Sequence, residues 1–170
     1  MKDFPENLNE VFLNPGEVHF GGGNTRISTL LGSCVSITLW HPRLRIGGMC
    51  HYMLARRARP ASAPLDGRYA DEAFAILLGH VSAAGTRPTE YQAKLFGGAN
   101  MLSDLVTDSV DIGRNNVAQG ESLLASCQIA LLAEHVGGSS QRKLHFDLWS
   151  GDVWLASPQG SDERIRKFKA

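Results

Sequence analysis

Cys34 and His51 are the two side chains here whose types suit covalent acyl chemistry. A free thiol has a pKa of about 8.5 and is mostly protonated at neutral pH, whereas the thiolate is the reactive form. An imidazole beside it can take the thiol proton, hold the thiolate as an ion pair, and later return a proton to a leaving amine. On that reading His51 raises the thiolate fraction of Cys34, so an alkylating agent should label Cys34 ahead of Cys50 and Cys127. Gly32 and Ser33 precede the cysteine and would let the backbone approach a substrate carbonyl and aim N–H groups at a developing oxyanion. Taken alone, a Cys/His pair in a core is more often structural than catalytic. The elements that would join the two therefore decide the matter.

Residues 35–40 alternate apolar and polar, and residues 45–54 are mostly apolar, with His41, Pro42, Arg43 and Leu44 between them as a turn. This reads as a hairpin in which Trp40 faces Arg45. The same register sets Val35 against Cys50, Ile37 against Gly48 and Leu39 against Ile46, and it sets Cys34 directly opposite His51. Directly opposed residues have Cβ atoms about 4.5–5.5 Å apart, close enough for a sulfur and a ring nitrogen to meet. A one-residue slip would separate the pair and invert the apolar face.

Around the hairpin, residues 17–20 and 26–31 read as strands, and residues 55–68 read as a surface loop rich in Arg and Pro. Residues 69–84 place Ala70, Phe74, Leu77, Leu78 and Val81 at helical spacing, with Gly85 as a left-handed cap. A second helix is expected over residues 114–126, although its apolar phase is poorly defined. Residues 92–96 read as a strand ending in a Gly97-Gly98 turn, residues 129–136 as a buried strand, and residues 142–148 and 153–156 as a closing pair. Many strands with two helices give an α/β or α+β fold with a mixed sheet. One domain over residues 1–170 is expected, with a core over about 15–157 and mobile ends at 1–10 and 161–170.

With 17 Lys plus Arg against 17 Asp plus Glu, bulk charge argues against nucleic acid or an anionic membrane as partner. The first ten residues lack a basic and apolar leader, and no stretch approaches the roughly 18 apolar residues of a membrane span. A cytoplasmic protein, not embedded in membrane, is the expectation. Three cysteines with no zinc-like spacing argue for free thiols and no metal.

The segment Leu31-Gly32-Ser33-Cys34-Val35 resembles the signature of the chemoreceptor glutamine deamidase family, CheD. Further blocks resembling that family follow in order: Ile46-Gly47-Gly48-Met49-Cys50-His51-Tyr52-Met53-Leu54, Lys94-Leu95-Phe96-Gly97-Gly98-Ala99-Asn100-Met101, Ile112-Gly113-Arg114-Asn115-Asn116, and Ala133-Glu134-His135-Val136-Gly137-Gly138. The resemblance implies a layered α/β sandwich similar to toxins that deamidate glutamine. It implies Cys34 and His51 as catalytic residues. A hydroxyl six positions before the cysteine completes the family's site; that position is Ser28, with Thr29 beside it, and either could orient His51. His135 stands where the family often has aspartate, and no role is assigned to it.

The resemblance further implies that Cys34 attacks the side-chain amide of a receptor glutamine, releasing ammonia, and that water then hydrolyses the thioester to glutamate, with no cofactor. Methyl-accepting chemoreceptors are the implied substrate. Some family members bind a CheC-type phosphatase, so a noncatalytic regulator binding receptors or such a phosphatase is the alternative. Arg56, Arg57, Arg59 and Arg68 follow the histidine strand and would border the cleft, steering it toward acidic receptor helices.

Overall fold

The computed structural model describes residues 4–102, 111–159 and 162–170. Among the described residues ten strands form two five-stranded sheets, and two helices complete an α+β layered fold. The first sheet has the order β1 (Asn9–Phe12), β3 (Thr25–Leu31), β8 (Arg142–Asp147), β9 (Val153–Gln159), β10 (Asp162–Phe168). The second has the order β2 (Val18–Gly22), β5 (Ile46–Cys50), β4 (Val35–His41), β6 (Gln92–Gly97), β7 (Ala130–Val136). Each sheet is mixed: β1 runs parallel to β3 and β6 parallel to β7, and the other neighbours are antiparallel.

Two apolar clusters define three layers. Val35, Ile37 and Leu39 of β4 pack with Phe74, Leu77 and Val81 of α1 (Ala70–Ala83) and Leu124 of α2 (Ile112–Ser126), so both helices cover one face of the second sheet. Trp40, Met49 and Phe96 on its other face pack with Ile27, Leu31, Leu144, Phe146 and Leu155 of the first sheet. A strand with a layer on each side buries both faces, and all seven residues of β4 are buried.

α1 forms where its apolar spacing predicts, and Gly85 closes it at φ 71°. α2 is capped by Asp111, whose side chain accepts from the Arg114 N–H at 3.0 Å. Its buried residues are Gly113, Asn116, Gly120 and Leu124. That spacing is helical, but three of the four side chains are not hydrophobic, which explains the weak apolar phase.

The expectation of a layered fold of mixed sheet with two helices holds, with the strands divided between two mixed sheets. Residues 9–12 pair with β3 and residues 162–168 pair along β9; of the ends expected to be mobile, residues 1–3 and 161 lie outside the described residues. β7, expected as a buried strand, is the edge of its sheet, with Leu131 and Leu132 37% and 49% exposed. Its pairing with β6 steps from Ala93–Leu131 to Lys94–Ala133, so Leu132 bulges from the ladder, a device that blunts an open edge.

Candidate active site

β3 alternates between the intersheet core and the outer surface: Ile27, Thr29 and Leu31 are buried, while Ser28 is half-buried and Leu30 exposed. Thr29 Oγ1 lies 2.7 Å from His51 Nδ1 and donates to the Leu13 carbonyl at 2.8 Å. Ser28 Oγ faces the other way and meets His145 Nδ1 at 2.7 Å. Of the two candidate hydroxyls, the structure therefore brings Thr29 to His51 and takes Ser28 away. The signal was present in the sequence, because Thr29 is in phase with Ile27 and Leu31.

The hairpin register differs from expectation by two residues. His41 pairs with Ile46, Leu39 with Gly48 and Thr38 with Met49, and Val35 bridges Tyr52. The turn is residues 42–45, closed by the Arg45 N–H on the His41 carbonyl at 2.8 Å with Arg45 at φ 52°. His41 belongs to the strand because its ring is buried edge-on against Tyr91. His51 thus falls opposite Ser36 and diagonal to Cys34. A shift of two preserves side-chain parity, so the cysteine and histidine still share the intersheet face, and diagonal neighbours remain within reach of long side chains. No hydrogen bond joins them: His51 Nε2 is buried and has no partner.

The backbone around both residues is tightly held. His51 N–H donates to Glu17 O at 3.2 Å, and His51 O accepts from Gly16 N–H at 2.8 Å. The Cys34 carbonyl accepts from Gly98 N–H at 2.9 Å, and the Gly32 carbonyl accepts from Ala99 N–H at 3.0 Å. Gly97 has φ 112°, and a Cβ there would collide with the Cys34 carbonyl, so the glycine pair is a turn built against the loop that carries Cys34. Asn116 of α2, fully buried, donates through Nδ2 to Ser33 O at 3.1 Å and Met53 O at 2.8 Å. Sequence reasoning gave this asparagine no role.

Burial dominates the electrostatics. It pushes the Cys34 thiol up, with the residue's own backbone N–H pulling the other way. It pulls His51 down to about 4, against the opposing field of Glu17. A neutral thiol and a neutral imidazole are the resting forms, not the ion pair expected from the sequence. Hydrogen counting then assigns the tautomer. Thr29 has one hydroxyl hydrogen, and it is used on Leu13 O, so the proton in the short contact to His51 sits on Nδ1. Nε2 is left as a bare acceptor.

The other sequence candidates fall elsewhere. Cys50 is fully buried on the helix side of the second sheet, with its thiol pushed up to about 12 by burial, and Cys127 is partly buried behind α2. His135 Nδ1 accepts from Arg142 Nε at 2.8 Å. Arg57 and Arg59 turn to the buried Glu72, at 3.0 and 3.5 Å, and Arg68 pairs with Asp66 at 2.6 Å, so these three arginines brace their own loop. Among the described residues no cluster of three His, Cys, Asp or Glu is placed to hold a metal, and no helix is long and apolar enough to cross a membrane.

Residues 53–157 match the family model described as CheD chemotactic sensory transduction. The probable chemoreceptor glutamine deamidase CheD 3 of Dechloromonas aromatica is 70% identical over 166 residues, covering 98% of each chain. The probable chemoreceptor glutamine deamidase CheD of Pseudomonas savastanoi is 48% identical, covering 97% of this chain and 94% of its own, and CheD 1 of Chromobacterium violaceum is 46% identical over 89% and 79%. With a family model spanning more than half its length and a relative this similar from end to end, the chain belongs to the CheD family of chemotaxis proteins.

Proposed function

We propose that this protein deamidates glutamine side chains of methyl-accepting chemoreceptors, with Cys34 as nucleophile, His51 as base and Thr29 as the residue that orients His51. The observation that carries the reading is the chain from the Leu13 carbonyl through the Thr29 hydroxyl to His51 Nδ1, which leaves Nε2 unprotonated on the face that Cys34 shares. The thiol proton passes to Nε2 as sulfur attacks the side-chain amide carbon. The tetrahedral intermediate collapses with transfer of that proton to nitrogen, releasing ammonia and leaving a thioester. Water then gives a proton to Nε2 and attacks the thioester, and the proton returns to sulfur as glutamate departs. Because the resting groups are both neutral, proton transfer accompanies the attack instead of preceding it. Backbone N–H groups of the 32–34 segment are the proposed donors to the oxyanion.

The test is to incubate the wild type and Cys34→Ala with receptor cytoplasmic fragments and read glutamine-to-glutamate conversion by peptide mass spectrometry. Conversion by the wild type alone is expected. Absence of conversion by either would leave the noncatalytic reading, a regulator binding receptors or a CheC-type phosphatase.

A further inference from the structure

The Asn116 side chain of α2 hydrogen-bonds both segments of the site, the loop before β4 and the chain leaving β5. Its two amide hydrogens are both used, one on the Ser33 carbonyl beside the nucleophile and one on the Met53 carbonyl beyond the histidine. Its own carbonyl oxygen on the backbone accepts from the Tyr52 hydroxyl at 2.7 Å, while its side-chain Oδ1 is buried without a partner. The helix comes this close because Gly113 and Gly120 flank the asparagine. A Cβ at Gly113 would lie 2.6 Å from the Ala99 carbonyl, and one at Gly120 would lie 2.6 Å from the Tyr52 hydroxyl.

The geometry of the peptide plane gives this contact a consequence. The Ser33–Cys34 peptide is trans, as no peptide among the described residues is cis, and in a planar trans peptide the N–H points opposite to the preceding carbonyl. Fixing the Ser33 carbonyl on Asn116 therefore directs the Cys34 N–H away from α2. The Cys34 N–H meets only its own thiol, and the Ser33 N–H donates to no acceptor among the described residues. Buried or half-buried backbone donors are seldom left free without a reason.

We propose that Asn116 is a positioning residue: by clamping the Ser33 and Met53 carbonyls it holds the Cys34 N–H at the place where the oxyanion forms, and holds the nucleophile loop against the histidine strand. This rests on the deamidase reading for its kinetic consequence, but not for its structural one.

Asn116→Asp sets a carboxylate against two carbonyl oxygens, and Asn116→Ser keeps one short donor as a milder variant should the first fold poorly. On receptor fragments the expected result is a kcat lowered by about 10²-fold in Asn116→Asp, the scale of losing one oxyanion donor, with KM within about threefold. The ratio of Asn116→Asp to wild-type kcat should rise as pH falls, because the protonated acid regains a donor. Tyr52→Phe removes the other tie between hairpin and α2 without touching Ser33, and should keep kcat within about twofold of wild type. Independently of turnover, backbone hydrogen exchange at Gly98 and Ala99, whose N–H groups donate to the Cys34 and Gly32 carbonyls of this loop, should accelerate in both Asn116 variants while β9 is unchanged. A loss confined to KM, a ratio independent of pH, or unchanged exchange at Gly98 and Ala99 would overturn the positioning role. A wild type that converts no glutamine strikes the deamidase reading instead, and the exchange measurement still decides this one.

Discussion

At the scale of single residues, Thr29 and Ser28 are adjacent hydroxyls with opposite fates, one on the His51 ring and one on the outer surface with His145. Replacing Thr29 by Val removes the acceptor for the Nδ1 proton and frees the ring to take the wrong tautomer. We expect kcat to fall on the order of 10²-fold, whereas Ser28→Ala stays near wild type; equal effects would remove Thr29 from the site. The same burial that lifts the Cys34 thiol and lowers His51 makes a second prediction. The rate of iodoacetamide alkylation at Cys34 should keep rising past pH 9, since the thiol titrates above its ordinary value. A plateau near neutrality would mean a preformed ion pair. That the cysteine and the histidine share one face was legible in the sequence. Their ionisation was not, because it depends on a second sheet covering them.

Among the elements, α2 shows how the same residue type can be a requirement or a spare. Gly113 and Gly120 let the helix backbone approach the 98–99 turn and Tyr52, whereas Gly79 in α1 has nothing within 4 Å of the position a Cβ would take. Alanine is favoured over glycine in a helix interior by about 0.5–1 kcal/mol, so Gly79→Ala should raise the unfolding free energy by that amount. Gly113→Ala meets main-chain carbonyls that cannot rotate aside, and should lower it by about 1–3 kcal/mol. Chemical denaturation of the two variants checks both, and a gain at Gly113 would mean that α2 can shift outward. Periodicity found α1 because its buried face is apolar, and blurred α2 because its buried face is glycine and asparagine. The hairpin was legible in its strands but not in its turn. Whether His41 ends the strand or opens the loop depends on Tyr91, a contact 50 residues away in sequence.

For the molecule as a whole, the decisive unread feature is the contact between the two sheets, and Lys94 tests it. Its strand reads as Gln92, Lys94, Phe96 on one face, with no local sign that this face is covered. Yet Lys94 is 4% exposed, and its amine donates to Gly151 O at 2.7 Å and Phe168 O at 3.3 Å, joining the second sheet to the closing strands of the first. Burial lowers its pKa from 10.5 to about 8, with Asp152 opposing the shift. Between pH 8 and 10.5 the unfolded chain therefore holds more of this proton than the folded one, so this group's contribution to stability rises with pH across that window. The rise amounts to about 3 kcal/mol. Burial raises Cys50 and Tyr52, which act in the opposite sense at alkaline pH, but they do so equally with or without the lysine. The reading is thus the difference in unfolding free energy between wild type and Lys94→Met, followed by urea denaturation across the window. It should move toward the wild type as pH climbs from 8 to 10.5. A constant difference would mean that the amine reaches water and that the sheets do not close over it.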